Sequence, residues 1–430
     1  DIVLGGVTYA AAEFDYDDPL TKGNVTAEKR WDSVKSPSVP ALGQLSTANA
    51  QVLSRSYGDN GDLTDIYEPE VRTHITEDPD SRLPGRIDYA YGTGLQRSWT
   101  YTWNAAAGTL SATADLDNAI TTSYLYDVIG RQTRVEEANL RRISTTYDDA
   151  NGKILVQRDL ATLGDGKLQT ITHYDQLGRV RKIRTSDGAA LSTTTETDGI
   201  KVTTTNRMTS SGARAVTSTP YRNVTDPAVE WTCTQYDRLG RPTAVAMFKG
   251  STEPADCQSS TNRTGITQTT YDSDRIQVID PAGSSNRRDQ YRDALGRMTR
   301  VVEAPASLNY STTYQYDPLD HLLQVMQVDG SITQTRTFTY SSLGRLLAAA
   351  NPENGATTYT YADSGDLATR VDARGFTIAF SYDALHRVTV KDYSADSGVT
   401  PDVTYEYYTS TALPPNKGQL KSVTSSAATT

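Results

Sequence analysis

The stretch HYDQLGRVRKI, residues 173–183, decides the fold. Near-copies stand at Tyr126 (YDVIGR), Tyr236 (YDRLGR), Tyr291 (YRDALGR, one residue longer), Tyr340 (YSSLGR) and Tyr382 (YDALHR). Looser ones begin at Tyr16, Tyr57, Trp103, Tyr147, Tyr271, Tyr316 and Tyr361. Where copies adjoin, their starts fall at 126, 147 and 174, then at 271, 291, 316, 340, 361 and 382, a period of about 20–27 residues. A fixed period in that range marks an array of small supersecondary units.

Between copies lies a second punctuation, as in ADLDNA, TSDGAA, IDPAGS, QVDGSI, NPENGA and VDARGF. Each unit therefore reads strand, turn, strand, turn. The intervening runs, such as ITQTRTFTY and FTIAFSY, are Thr-, Tyr- and branched-rich and alternate with the period of two that sends side chains to opposite faces of a strand. In the motif, Asp suits the first position of a type I turn, and Gly suits the left-handed position of a three-residue hairpin loop with a bulge. The turn sets are Tyr126, Asp127, Gly130 and Arg131; Tyr174, Asp175, Gly178 and Arg179; Tyr236, Asp237, Gly240 and Arg241; Tyr291, Gly296 and Arg297; Tyr340, Gly344 and Arg345; and Tyr382, Asp383 and Arg387. The glycine slot holds His386 and, in YDPLDH, Asp320, residues that tolerate positive φ better than branched ones. Such variation suits a structural turn and not a phosphate-cradling loop. Stacked hairpins would align the tyrosines in a ladder, with an arginine beside each ring. The one stretch with any helical character is SVPALGQLSTANAQVLSR, residues 38–55.

Composition agrees. The 430 residues include 26 Tyr but only 5 Phe, the hydrophobic class is 37% with Tyr counted, and the net charge is −10. Average globular chains carry about 45–50% apolar residues, so a sheet with a wet face fits better than a thick core. The acidic balance gives no basic stripe for nucleic acid, and no apolar run approaches the ~20 residues of a membrane span. The start at Asp1 and the strand-like end in QLKSVTSSAATT are read as a piece of something longer. Cys233 and Cys257 flank a hairpin plus a loop. Either the loop folds back and they form a disulfide, favouring an oxidising compartment, or they are two unrelated small apolar side chains.

The YDxxGR copies resemble those of the RHS/YD-repeat family, which includes bacterial polymorphic toxins, shell components of insecticidal toxin complexes, wall-associated proteins and teneurins. The resemblance covers nearly the whole chain and is weakest before about residue 85, giving divergent repeats over 1–85 and the repeat shell over 86–430. It implies an all-β fold of stacked antiparallel hairpins, one long spiralling sheet forming part of a hollow shell. It further implies a secreted or surface bacterial protein whose partners are its own C-terminal toxin or effector domain, or adjoining repeats. One departure matters: DPAGSS at Asp280 lacks the Leu of the self-cleaving core motif and is followed by more repeats, so self-cleavage is assigned to no residue.

Chemistry is sparse. The histidines His74, His173, His321 and His386 show no ligand spacing, and G-x-S-x-G, H-E-x-x-H and P-loop patterns are missing from the sequence. No catalytic, cofactor or metal residue is assigned. Acidic clusters in FDYDDPL and YGDNGDLTDIYEPE are read as solvated turns ahead of calcium loops. A non-catalytic scaffold is the leading expectation. The alternatives are an adhesion, glycan-binding or fibre module, and, more remotely, a polysaccharide-active enzyme. Unpaired sheet edges offer self-association.

Overall fold

The computed structural model describes all residues except 1, 5, 6, 18–22, 42, 70, 139, 140, 210, 211, 224–228, 394–399, 410–415 and 426–430. Its secondary structure is almost wholly strand, with single 3-10 turns at Asp149–Asn151 and Ser284–Asn286 and no α-helix among the described residues. The all-β class of stacked antiparallel hairpins is thus the observed one. The helical character of residues 38–55 is not. Ala50–Tyr57 is a strand, and the segment before it is bent: Ser46 N–H donates to Asn49 Oδ1, and Asn49 N–H to the Ser46 carbonyl. Leu45 is thereby turned down onto Trp31, Ala11 and Ala50, which no straight helix would allow.

The chain forms two compact units, Asp1–Thr122 with Tyr314–Met326 and Gln334–Thr430, and Ser123–Thr313 with Gln327–Thr333. In the first, strands follow one another antiparallel from Ala12–Tyr16 through Val25–Trp31 and Ala50–Tyr57 to Thr109–Asp115, and again from Ile332–Tyr340 to Leu420–Ser425. In the second, the same neighbour-to-neighbour pairing runs from Gln132–Glu137 to Tyr310–Tyr316. Residue 85 lies inside the paired strand Pro84–Tyr89, so what changes near it is the regularity of the motif and not the sheet.

Cores are small because the sheet is one layer. In the second unit Val216, Trp231, Cys233, Ala246, Phe248 and Cys257 bury one another beneath the loop 250–262. Register puts Val216 opposite Cys233 and Cys233 opposite Ala246, so one sheet face carries the cluster. Continuing across the pairings, that face also carries Lys182 and His173. The opposite face carries Thr232, Thr234 and Tyr236.

Candidate functional site: the turn clamp and the seam

The YD turns that carry an aspartate are held by it. In YDQLGR the Asp175 N–H donates to the Arg179 carbonyl at 2.8 Å, and the Gly178 N–H to the Asp175 carbonyl at 3.0 Å. Asp175 Oδ1 accepts from the N–H of Leu177 and of Arg179, both at 2.9 Å, while Oδ2 accepts from Arg179 Nε at 2.8 Å. The same five contacts recur at Asp127, Asp237 and Asp383. Backbone N–H groups, with the paired guanidinium, hold Asp127, Asp175 and Asp237 below the usual carboxylate range. The glycine slot is left-handed, with φ of +74° at Gly178, and Asp320 and His386 adopt φ of +68° and +58° in the same place.

At Tyr291 the sequence reading needs correction. The bulge falls between Tyr291 and Arg292, and Arg292 pairs with Met298, as Tyr174 pairs with Val180 and Tyr236 with Pro242. Arg292 therefore fills the tyrosine slot and Asp293 the aspartate slot, with Arg297 Nε 2.7 Å from Asp293 Oδ2. Tyr291 faces the other way. The spacing of RDALGR already carried that signal, because aspartate and not tyrosine fixes the turn.

The arginine stacks on a ring, but that ring belongs to the next hairpin. Arg131 lies 4.1 Å from the centroid of Tyr147, Arg241 4.3 Å from Tyr271, Arg345 5.3 Å from Tyr361 and Arg387 4.1 Å from Tyr407. Each of these phenols then donates to the carbonyl of the residue after the arginine: Gln132, Pro242, Leu346 and Val388, at 3.2, 2.9, 2.9 and 3.0 Å. The Tyr57 phenol likewise donates to the Val25 carbonyl of the preceding hairpin at 2.8 Å, without an arginine before Val25. One turn thus clamps the next, coupling neighbours as a stacked repeat requires.

Within the first unit a second relationship appears, between residues about 300 positions apart. Ser33 and Ser342 exchange N–H to Oγ bonds, each 2.9 Å, and Ser342 Oγ–H also donates to the Trp31 carbonyl at 2.6 Å. Arg345 Nη2 reaches Asp32 Oδ2 at 2.6 Å, and Lys35 pairs with Asp363 at 2.9 Å. Further on, Lys417 Nζ pairs with Asp117 at 2.5 Å, its N–H donates to Asn118 Oδ1 at 2.8 Å, and its carbonyl accepts from Asn118 Nδ2 at 3.2 Å. Late turns at Ser342, Asp363 and Lys417 therefore lie, in ascending order, against early bends at Ser33, Lys35 and Asp117. YSSLGR explains the crossing at Arg345. Ser341 stands where YDVIGR, YDQLGR, YDRLGR and YDALHR have Asp, so Arg345 has no carboxylate in its own turn and pairs with Asp32, which is 3% exposed.

A buried polar cluster fastens the segment 186–199 to the second unit. Arg184 is fully buried, donates to His173 Nε2 at 3.1 Å and to the Ser192 carbonyl at 2.7 Å, and pairs with Asp198. Glu196 meets His173, Arg181 and Lys182, while Lys201 donates to the carbonyls of Thr197 and Gly199. Burial pushes the His173 imidazole down to about 4, against the pull of Glu196. Both of its nitrogens are engaged, which suits fastening better than proton transfer.

The other histidines are also taken up by carboxylates: His74 by Asp65, His321 by Asp317 and His386 by Asp366, at 2.7, 2.8 and 2.7 Å. No group of three His, Cys, Asp or Glu able to hold a metal occurs among the described residues. Of the acidic cluster FDYDDPL, residues 18–20 lie outside the described residues. Cys233 and Cys257 form a disulfide with Cα atoms 5.2 Å apart, tying the loop 250–262 over the buried cluster. The Trp231 indole N–H adds a bond to the Gly250 carbonyl at 2.9 Å.

These features define an all-β protein of stacked, mutually clamped YD hairpins. No protein-family model matches the chain, and no curated protein matches it. Among solved structures it is similar to the Tc holotoxin pore of Photorhabdus luminescens, at 14% identity and a TM-score of 0.40 over 86% of this chain and 19% of that one. It is also similar to TcdB2–TccC3 without its hypervariable C-terminal region, at 10% identity and a TM-score of 0.36 over 98% of this chain and 34% of that one. The chain thus spans 19% to 34% of the length of these structures. Likeness at that level defines neither activity nor partner. No helix among the described residues is long and apolar enough to cross a membrane.

Proposed function

We propose that this chain is a non-catalytic wall: part of the shell of a secreted bacterial RHS-repeat protein that encloses or presents a C-terminal toxin or effector domain. The observation that carries this reading is the seam of the first unit, where late turns lock onto early bends in ascending order. A sheet that only needed to present loops would not need its own hairpins locked to others about 300 residues away. Right-handed strand twist curls a long sheet, and a seam of this kind would hold such a curl shut. Tyr147, Tyr271, Tyr361 and Tyr407 are engaged under arginines and not open for stacking on glycans, which favours the wall over the adhesion reading.

The test is protease protection of the complete gene product. If the wall encloses a downstream domain, that domain resists trypsin in the intact protein and is cleaved once the seam is broken by Asp32→Ala with Lys417→Ala. Equal digestion of the domain alone and in the intact protein would overturn the reading.

A further inference from the structure

The segment 186–199 of the second unit has no regular secondary structure and is fastened largely by side chains of the strands beside it. Leu191 N–H donates to Gln169 Oε1 at 2.9 Å, and the carbonyls of Ser192 and Thr193 accept from Arg184 and Lys153, both at 2.7 Å. Lys201 holds the carbonyls of Thr197 and Gly199, and Lys182 pairs with Glu196 at 2.9 Å. His173 sits at the centre of this fastening.

The hydrogen-bond directions fix its tautomer. Arginine only donates, so the Arg184 Nε–H bond to His173 Nε2 at 3.1 Å requires a bare Nε2, and the ring hydrogen sits on Nδ1, 3.4 Å from Glu196 Oε1. A second proton has to go on Nε2, where it meets the Arg184 N–H. Arg184 is fully buried and cannot turn to water while Ser192 and Asp198 of the segment cover it.

Charge acts in the same direction. Arg181, Lys182 and Arg184 on one neighbouring strand, Lys153 opposite His173 on the other, and Lys201 beyond Arg184 surround the ring. Lys153 has Asp148, but the carboxylates that answer the other four, Glu196 and Asp198, both belong to the segment. The Arg181 hydrogen bond outweighs burial and holds Glu196 below the usual carboxylate range; at Asp198 burial is outweighed by the Ser192 N–H and Arg184. Both stay ionised as the pH falls, so His173 is the group that changes. We propose that 186–199 is an acid-released strap: a proton on His173 Nε2 opposes Arg184, and the strap lifts while the hairpins beneath it stay paired. Lifting uncovers Arg181, Lys182, Arg184 and Lys201 as a cationic patch.

With the strap down the His173 pKa is about 4, and with it lifted the ring returns to its ordinary value near 6.5. Opening of the strap should therefore rise about tenfold per pH unit below 6.5, roughly 60-fold in all between pH 7.0 and 4.5. Hydrogen exchange on the full chain, corrected for the intrinsic pH dependence of the chemistry, reads this as lost protection. The amides of Leu191 and Ser192 are expected to lose that factor while those of Pro242–Lys249 keep their protection. His173→Gln offers Arg184 an acceptor that does not titrate, and its strap should be equally protected at both pH values. Should that variant not fold, the contrast between the two wild-type segments decides alone. Equal losses in both segments (general acid unfolding), unchanged strap protection, or a pH dependence that persists in His173→Gln would each overturn the proposal.

Discussion

Arg345 Nη2 lies 2.6 Å from Asp32 Oδ2, joining two turns 313 residues apart. Removing one partner of a buried pair leaves the other charge uncompensated, which typically costs about 3–5 kcal/mol. Asp32→Ala should therefore lower the unfolding free energy of the first unit, read from urea titration, by an amount on the order of 3 kcal/mol. Arg345→Met in the same background should recover part of that loss, and a double-mutant cycle should return a coupling well above 0.5 kcal/mol. Additive losses would show that the two residues do not act together.

The inter-hairpin clamp separates into two parts. Tyr361→Phe removes only the donor to the Leu346 carbonyl and should cost about 1 kcal/mol. Tyr361→Leu also removes the ring under Arg345 and should cost roughly 0.5–1 kcal/mol more. Thermal unfolding of the two variants beside wild type resolves the parts, and equal midpoints would refute the stacking contribution.

Two glycines should respond very differently to alanine. A Cβ at Gly240 meets nothing within 4 Å, so Gly240→Ala carries only the left-handed backbone penalty of about 1–2 kcal/mol. At Gly212 the added Cβ would run into the Tyr236 carbonyl, so that variant should fail to reach a soluble folded state or lose several-fold more stability. Circular dichroism melts of both decide the ordering.

The disulfide closes a loop of 24 residues, for which constraint of the unfolded chain typically contributes about 2–4 kcal/mol. Cys233→Ala with Cys257→Ala should lower the midpoint of the second unit accordingly while leaving Asp32→Ala equally damaging to the first. Proteolysis is expected to begin in 250–262 in that variant, which mass spectrometry of the first fragments will show.

His173 makes the second unit acid-sensitive. Its folded pKa, pushed down to about 4, lies below the ordinary value near 6.5. Its contribution to stability is therefore complete above pH 6.5 and is lost as pH falls toward 4, because the unfolded chain takes up the proton first. At about 1.4 kcal/mol per pH unit this amounts to roughly 3 kcal/mol. His173→Gln should flatten the fall in the denaturant midpoint between pH 6.5 and 4.5, and an unchanged slope would assign it to other groups.

Much of the repeat was legible because it is local. Asp175, Gly178 and Arg179 are held by bonds spanning at most four residues, so composition and spacing suffice to define the turn. The displaced phase at Tyr291 and Arg292 shows the limit, since an eye-catching aromatic drew the motif one residue away from the aspartate that sets it. Residues 38–55 show another: a helix-compatible run was bent by Ser46 and Asn49 and by the burial of Leu45.

By itself the sequence determined the strand–turn period, the hairpin geometry and the thinness of the core, all consequences of hydrogen bonds and side-chain alternation within about 25 residues. Only the tertiary structure decided which arginine meets which ring, that Cys233 bonds Cys257, and that turns near 342–345 and 417 rest on bends near 32 and 117. Those contacts depend on how twist and bulges accumulate over many strands. Small angular increments per strand sum to the placement of residues 300 apart, and no local pattern encodes that sum.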